Sequence, residues 1–164
     1  MKSFGIPNDA GRLQRGFDVK ILYVVAGALL NGRNEVLLSS RPEGKEFAGF
    51  WEFPGGKVEK GETPEAALCR ELAEELSLRV SEKDLTAIGF VSYPYKKFHL
   101  VMLLYACRRW RGRPIPLENQ KTAFVGVDDL TVEKDEIASD GGRKYRLPPA
   151  DGALTESLKK YLTY

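Results

Sequence analysis

The spacing of apolar and polar positions divides the chain into alternating strand-like and helix-like runs. Val19 to Leu30 is rich in β-branched residues and apolar at odd and even positions alike, the pattern of a central strand covered on both faces. Asn31 to Asn34 (NGRN) predicts a turn, Glu35 to Ser39 a returning strand, and Arg41 to Gly49 a loop. Phe50 to Phe53 predicts a short strand that Pro54 ends. From Glu65 to Leu76 there is no Gly, Pro or β-branched residue, so helix propensity is high. At about 3.6 residues per turn, Leu68, Leu72 and Leu76 share one stripe, flanked by Cys69 and Ala73. Thr63 suits the N-cap and Pro64 the first helical position. Val80 to Asp84 is a connector, and Leu85 to Tyr93 with Phe98 to Cys107 predicts a hairpin around Pro94 to Lys97. Pro114 to Lys121 is a loop before the strand Thr122 to Val127, and Asp128 to Leu130 starts a turn. Residues 131–146 are charged and contain Gly, and predict an inserted loop. A closing amphipathic helix starts at Asp151 with Leu154, Leu158, Tyr161 and Leu162 on one side. Residues 1–18, polar and Gly-rich, predict a loose arm.

Composition narrows this picture. A chain of 164 residues, 43% hydrophobic, is long enough for one domain with a sizeable core, here 19–164. A net charge of +2 predicts no strong field toward nucleic acid or membrane, so no stable nucleic-acid partner and no membrane association is expected. Cys69 and Cys107 sit in apolar contexts and read as buried free thiols of a reducing compartment. The start of the chain lacks a signal-peptide pattern, and Ile21 to Leu30 is too short to span a bilayer, which predicts a cytoplasmic protein. The basic cluster Arg108 to Arg113 (RRWRGR) can touch RNA but reads first as an exposed turn. His99, the only histidine, reads as a strand residue at a sheet surface.

The predicted helix places Glu71, Glu74 and Glu75 together opposite its leucine stripe. Like charges three and four residues apart are unfavourable by about 0.2–0.5 kcal/mol per pair. Arg70 offsets part of this through Glu74. A hard divalent cation offsets more, because it takes oxygen ligands and favours carboxylates beside phosphate oxygens. Taken alone, the cluster also reads as a solvated acidic face. Its wider spacing decides between the two. Gly56, five residues, Glu62, seven residues and Arg70-Glu71-Leu72-Ala73-Glu74-Glu75 resembles the Nudix box of the Nudix hydrolases. One position departs: Ser77 stands where the family has Gly.

The resemblance, of the MutT type, runs from about Val24 through the last helix and is strongest at PGGKVEKGETPEAALCREL. It implies an α+β fold, the Nudix α/β/α sandwich with a mixed sheet. It also implies a Mg2+-dependent enzyme, with Mn2+ as a possible substitute. By the same resemblance Glu71 lies near the attacking water as base or ligand, and Glu74 and Glu75 are the principal metal ligands. The Gly56 carbonyl completes the shell, and Glu118, in the loop before the strand carrying Phe124, is an additional ligand. Arg70 and Glu62 brace the loop against the helix. For substrate, MutT-type enzymes carry an Arg at the position of Arg41 and an Asn or Asp at the base edge where Asp151 stands. Asp151 also reads as a plain N-cap. Lys57, after the Gly pair, suits a phosphate contact, and Phe53 is either core or a surface beneath the base.

The implied reaction converts a nucleoside triphosphate to a monophosphate and pyrophosphate. An oxidised purine such as 8-oxo-dGTP is the leading substrate, giving nucleotide-pool sanitation. CTP or methylated dCTP is a second reading. Pro94 and Tyr95 keep ADP-ribose and dinucleoside polyphosphates open. An inactive ligand- or RNA-binding module is a reading of another class; such domains usually lack box acids, and this chain retains them all. Whether the protein is a monomer or a dimer stays open.

Overall fold

The computed structural model describes residues 19–132 and 145–164. The predicted arm 1–18 and the middle of the predicted insertion, residues 133–144, lie outside the described residues. Among the described residues, nine strands and two helices follow in chain order: β1 (Ile21–Leu29), β2 (Val36–Ser40), β3 (Trp51–Glu52), β4 (Gly55–Lys57), α1 (Pro64–Leu76), β5 (Leu85–Pro94), β6 (His99–Cys107), β7 (Thr122–Val125), β8 (Leu130–Val132), β9 (Tyr145–Leu147) and α2 (Pro149–Thr163). Short 3-10 turns at Glu82–Asp84 and Val127–Asp129 precede β5 and β8.

The strands form two main sheets, β4-β1-β6-β5 and β3-β2-β7. In the first, β1 runs parallel to β6 with Val25 opposite Leu103, while β4 and β5 are antiparallel, so the sheet is mixed. In the second, β2 pairs antiparallel with both neighbours. Strand alternation then assigns the faces. Ala26 and Ala28 of β1 and Val36 and Leu38 of β2 join Ala150, Leu154 and Leu158 of α2 in one core. Val25 and Leu29 of β1 and Leu37 of β2 join Leu68, Leu72 and Leu76 of α1 in the other. The sheets therefore lie between two helices, the expected α/β/α sandwich. Full burial of each of those α1 leucines stabilises it by about 1.5–3 kcal/mol.

The structure corrects several expectations. β1 and β2 are not a simple hairpin: one bridge, Leu30 to Val36, joins them, and each belongs to a different sheet. The first half of β1 is covered on one face only, with Ile21 and Tyr23 exposed, because the α1 core begins at Val25. Gly55 to Lys57, which the sequence leaves without an element between the strand ended by Pro54 and the helix, is strand, since its backbone pairs with β1. Beside the leucine stripe the buried flank is Ala67, whereas Ala73 is exposed. Cys69 is half-buried rather than buried, while Cys107 is buried. The predicted insertion 131–146 is not loop at its ends, because β8 and β9 pair in parallel from Leu130 opposite Tyr145 to Val132 opposite Leu147. The final helix begins at Pro149, not Asp151.

Candidate active site

The acidic helix is held at both ends. Thr63 Oγ1 accepts from the Ala66 N–H at 3.2 Å, which satisfies one of the free N–H groups of the first turn. At the other end Ser77 adopts φ 57°, and its N–H reaches the Ala73 carbonyl at 3.1 Å. The Leu78 N–H returns to the Leu72 carbonyl at 3.1 Å, closing the paired-bond cap usually formed around glycine.

Arg70 ties the loop Lys57 to Glu62 to this helix. Its Nε and Nη2 donate to the two Glu62 oxygens at 2.7 and 3.0 Å, and Nη2 also donates to the Lys57 carbonyl at 3.1 Å. Nη1 donates to Glu71 Oε1 at 2.8 Å and to Glu74 Oε2 at 3.2 Å. The guanidinium holds the Glu62 carboxyl down to about 2, helped by the Glu59 N–H. One guanidinium thus spans three carboxylates and a carbonyl, which its planar fork of donors permits and an ammonium does not.

Glycines let β4 press against the acids. A Cβ on Gly56 would fall on the Glu71 carboxyl group, and one on Gly55 would fall on the Val25 carbonyl. Glu71 is consequently enclosed, its side chain 16% exposed, whereas Glu74 is 57% exposed. Glu75 is strongly perturbed. Burial, then the charges of Glu71, Glu52 and Glu118, push its carboxyl up to about 8, against a hydrogen bond from the Gly55 backbone. Glu118 approaches because its loop is stapled to the end of α1: the Ile115 N–H donates to the Leu76 carbonyl at 3.0 Å and the Leu117 N–H to the Glu75 carbonyl at 2.9 Å.

Glu71, Glu74, Glu75 and Glu118 offer oxygen donors of like charge that Arg70 offsets only in part, and such donors suit a hard divalent cation. Among the described residues no three acidic groups converge as ligands around one point; Glu71 and Glu74 are turned onto Arg70 instead. Glu74, being exposed, can turn away from Arg70 at little packing cost.

A cavity of about 340 Å3 opens beside the loop, with Gly55, Gly56 and Lys57 in its wall. Arg41 lines it, donates to the Glu46 carbonyl at 2.7 Å and forms an ion pair with Glu52. Phe53 is both core and cavity wall, so its two readings coincide. Asp151 lies at the back, 4% exposed. It is the third residue of α2, after the cap residue Pro148, and so is not an N-cap. Its Oδ1 accepts from the Phe53 N–H at 3.1 Å, fastening α2 to the strand before the box. Burial, then the Glu52 charge, push its carboxyl up to about 7, against the Phe53 N–H and the Arg41 charge.

Among the wall residues that the sequence did not single out are Glu52, Phe47 and Phe98. Glu52 was signalled by an acid placed between Trp51 and Phe53 in a short apolar strand. Burial pushes its carboxyl up, and Arg41 opposes this. Phe47, at φ 59°, had no signal, since nothing in the run GKEFAG marks a left-handed aromatic residue. The Phe98 and Tyr95 rings lie tilted with centroids 5.1 Å apart and Phe47 meets Tyr95 edge-on at 6.4 Å, an aromatic rim contributed by separate loops. His99, at the sheet surface as expected, has its Nε2 2.7 Å from Ser92 Oγ.

Comparison with known proteins gives concordant matches. A NUDIX domain profile matches residues 21–146. An 8-oxo-dGTP diphosphatase of Haemophilus influenzae is 36% identical over 141 residues, 86% of this chain and 93% of that protein. A CTP pyrophosphohydrolase of Escherichia coli is 42% identical over 69 residues, 46% of this chain and 59% of that protein. A solved MutT structure, from work on the Aliivibrio salmonicida and Vibrio cholerae proteins, superposes with a TM-score of 0.67 at 30% identity. That match covers 87% of this chain and 99% of that one.

Proposed function

The chain belongs to the NUDIX family of hydrolases, and from that premise we propose that it sanitises the nucleotide pool by hydrolysing 8-oxo-dGTP to the monophosphate and pyrophosphate. Water adds to phosphorus, a phosphoanhydride P–O bond breaks, and a proton is released. The observation that carries the reading is continuity: Gly55, Gly56 and Lys57 wall a nucleoside-sized cavity and also form the floor of the acidic helix. A base seated against Phe53 and Asp151 would lead its phosphates past Lys57 toward Glu71 and Glu75.

Each residue has a role in this proposal. Glu71, Glu74, Glu75, Glu118 and the Gly56 carbonyl would hold Mg2+, with Mn2+ as substitute. When bound, the cation would neutralise phosphate oxygens and lower the pKa of water. Glu71, enclosed against Gly56, is assigned to the attacking water, as base or ligand. Arg70 and Glu62 keep the loop in place. Lys57 and Arg41 bind phosphate or base oxygens, Phe53 supports the base, and Asp151 reads its edge. An ionised Asp151 accepts hydrogen bonds only. The oxidised purine offers an N–H at position 7 where guanine offers a lone pair, so an Asp151 facing position 7 favours the oxidised base.

CTP is the second reading. The likeness to the Escherichia coli CTP pyrophosphohydrolase supports it, and the cytosine amino group also suits an acceptor at Asp151. The protein is further proposed to act in the cytoplasm, as one domain over residues 19–164 with an arm at 1–18; among the described residues no helix is long and apolar enough to cross a membrane. The deciding experiment is pyrophosphate release from 8-oxo-dGTP, dGTP, CTP, 5-methyl-dCTP and ADP-ribose, with Mg2+, Mn2+ or a chelator. We expect the highest kcat/KM on 8-oxo-dGTP with Mg2+. A preference for CTP selects the second reading, and no turnover of any substrate returns the chain to the ligand-binding class.

A further inference from the structure

A second concavity, a groove of about 1010 Å3, lies where β1 and β6 end, and it shares no wall residue with the nucleoside cavity. Its walls carry five cations, Arg79, Lys83, Arg108, Arg109 and Arg111, against one acid, Asp84. That acid is already engaged, since Arg109 Nη2 lies 2.5 Å from Asp84 Oδ1. Arg108 donates to the neutral Asn34 Oδ1 at 2.9 Å and lies over the Tyr161 ring. Among the described residues, no ion pair neutralises Arg79, Lys83, Arg108 or Arg111.

The pair Arg79 and Arg111 is the most telling feature. Their backbones exchange hydrogen bonds at 3.0 and 2.9 Å, which docks the chain after β6 beside the end of α1. Residues paired this way project their side chains to the same face, and like charges directly opposite destabilise the pairing. Backbone pairing requires no particular side chain, so the fold does not call for two arginines here. No ion pair among the described residues relieves their repulsion, and an external anion would.

The groove is open and its cationic side chains are exposed. Small-ligand pockets bury about 70–90% of the ligand surface, and this wall grips an anion from one side only. An open row of cations suits a ligand whose phosphates repeat along a chain. Trp110, half-buried in the floor and stacked on Phe124 at 6.3 Å, adds an aromatic surface suited to unpaired bases. We propose that this groove binds single-stranded nucleic acid through its phosphates, at a site separate from the catalytic one. The +2 total misleads here, because it averages the acidic catalytic face with this basic one.

The test is fluorescence anisotropy with a labelled oligothymidylate of about 12 nucleotides, in chelator, across a salt series. Four unpaired cations at about 0.7 each predict a log–log salt slope near −3. The triple variant Arg79→Gln, Lys83→Gln, Arg111→Gln is expected to bind at least tenfold more weakly, with the slope falling to about −1. Its pyrophosphate release and melting temperature should match or exceed those of the wild type. The single variant Arg111→Gln should show the same loss in smaller measure, which guards against a folding defect. Absence of wild-type binding at low salt, or unchanged affinity in both variants, overturns the proposal. So does displacement of the oligonucleotide by dGTP, which places it in the catalytic pocket, or by inorganic triphosphate at equal phosphate concentration, which marks a small-anion site.

Discussion

Glu75, half-buried, and Asp151, buried, are carboxyls with opposite uses, and each can be tested by one substitution. The Glu75 carboxyl is lifted from 4.5 to about 8, by burial first and then by Glu71, Glu52 and Glu118. Between those values the folded protein binds more protons than the unfolded chain, so its stability falls as pH rises through that window. In chelator, the wild-type melting temperature should therefore drop between about pH 5 and pH 8. Glu75→Gln should make that drop shallower, leaving the part due to Asp151, whose carboxyl is also raised, while cutting turnover by orders of magnitude. A variant with the wild-type pH profile and near-normal kcat at saturating Mg2+ would refute the assignment. For Asp151, Asn keeps an oxygen to accept from the Phe53 N–H, and Ala leaves that buried donor unpaired at a cost of about 1–3 kcal/mol. Asp151→Asn should therefore fold well yet change the ratios of kcat/KM among 8-oxo-dGTP, dGTP and CTP. A uniform fall on all three in both variants would reduce Asp151 to a structural tie between α2 and Phe53.

At the scale of elements, the exit of α1 records the departure from the family pattern. Ser77 occupies the left-handed conformation, φ 57°, that glycine adopts without steric cost. Ser77→Gly should stabilise the protein by about 0.5–1 kcal/mol after the larger unfolded-state entropy of glycine is counted. Urea denaturation checks this: the midpoint should rise at constant m, and activity should stay put because the cap lies outside the acid cluster. At the other end of the loop–helix unit, Arg70→Lys keeps the charge but loses the two-pronged grip on Glu62 and the bond to the Lys57 carbonyl. We expect kcat to fall roughly a hundredfold, a loss that a loop shift of about 1 Å can cause, with a much smaller change in melting temperature. Equal losses in activity and stability would mean that Arg70 serves the fold rather than the loop's position.

Across the whole molecule, the site draws on segments far apart in sequence, and their attachments rank their effects. The helix acids are fixed by a fully buried leucine stripe, whereas Glu118 rides on an exposed loop tied to α1 by two backbone hydrogen bonds. Glu118→Gln should therefore reduce kcat less than Glu75→Gln, with its deficit largest at low Mg2+; an identical or larger loss would place Glu118 at the centre of the ligand set. The same contrast separates what was legible in the chain from what was not. The bracing by Arg70 and Glu62, eight residues apart, came with the family resemblance, whereas helix α1, its Thr63 cap, the Leu68, Leu72 and Leu76 stripe and the Glu71, Glu74 and Glu75 cluster follow from the residues between Gly55 and Ser77. Local spacing determines them, because a helix brings residues three and four apart together whatever surrounds it. The hairpin of β5 and β6 was legible because its two strands are joined by a short turn. Only tertiary structure decided that β1 and β2 part into separate sheets, that β8 pairs with β9, and that Glu52, Phe47, Phe98 and Tyr95 meet around one cavity. It also placed Asp151 on the Phe53 N–H, 98 residues away, and gathered the arginines on either side of β5 and β6 into a basic groove. Those contacts join segments through packing and pairing register, and neither quantity is written into the order of nearby residues.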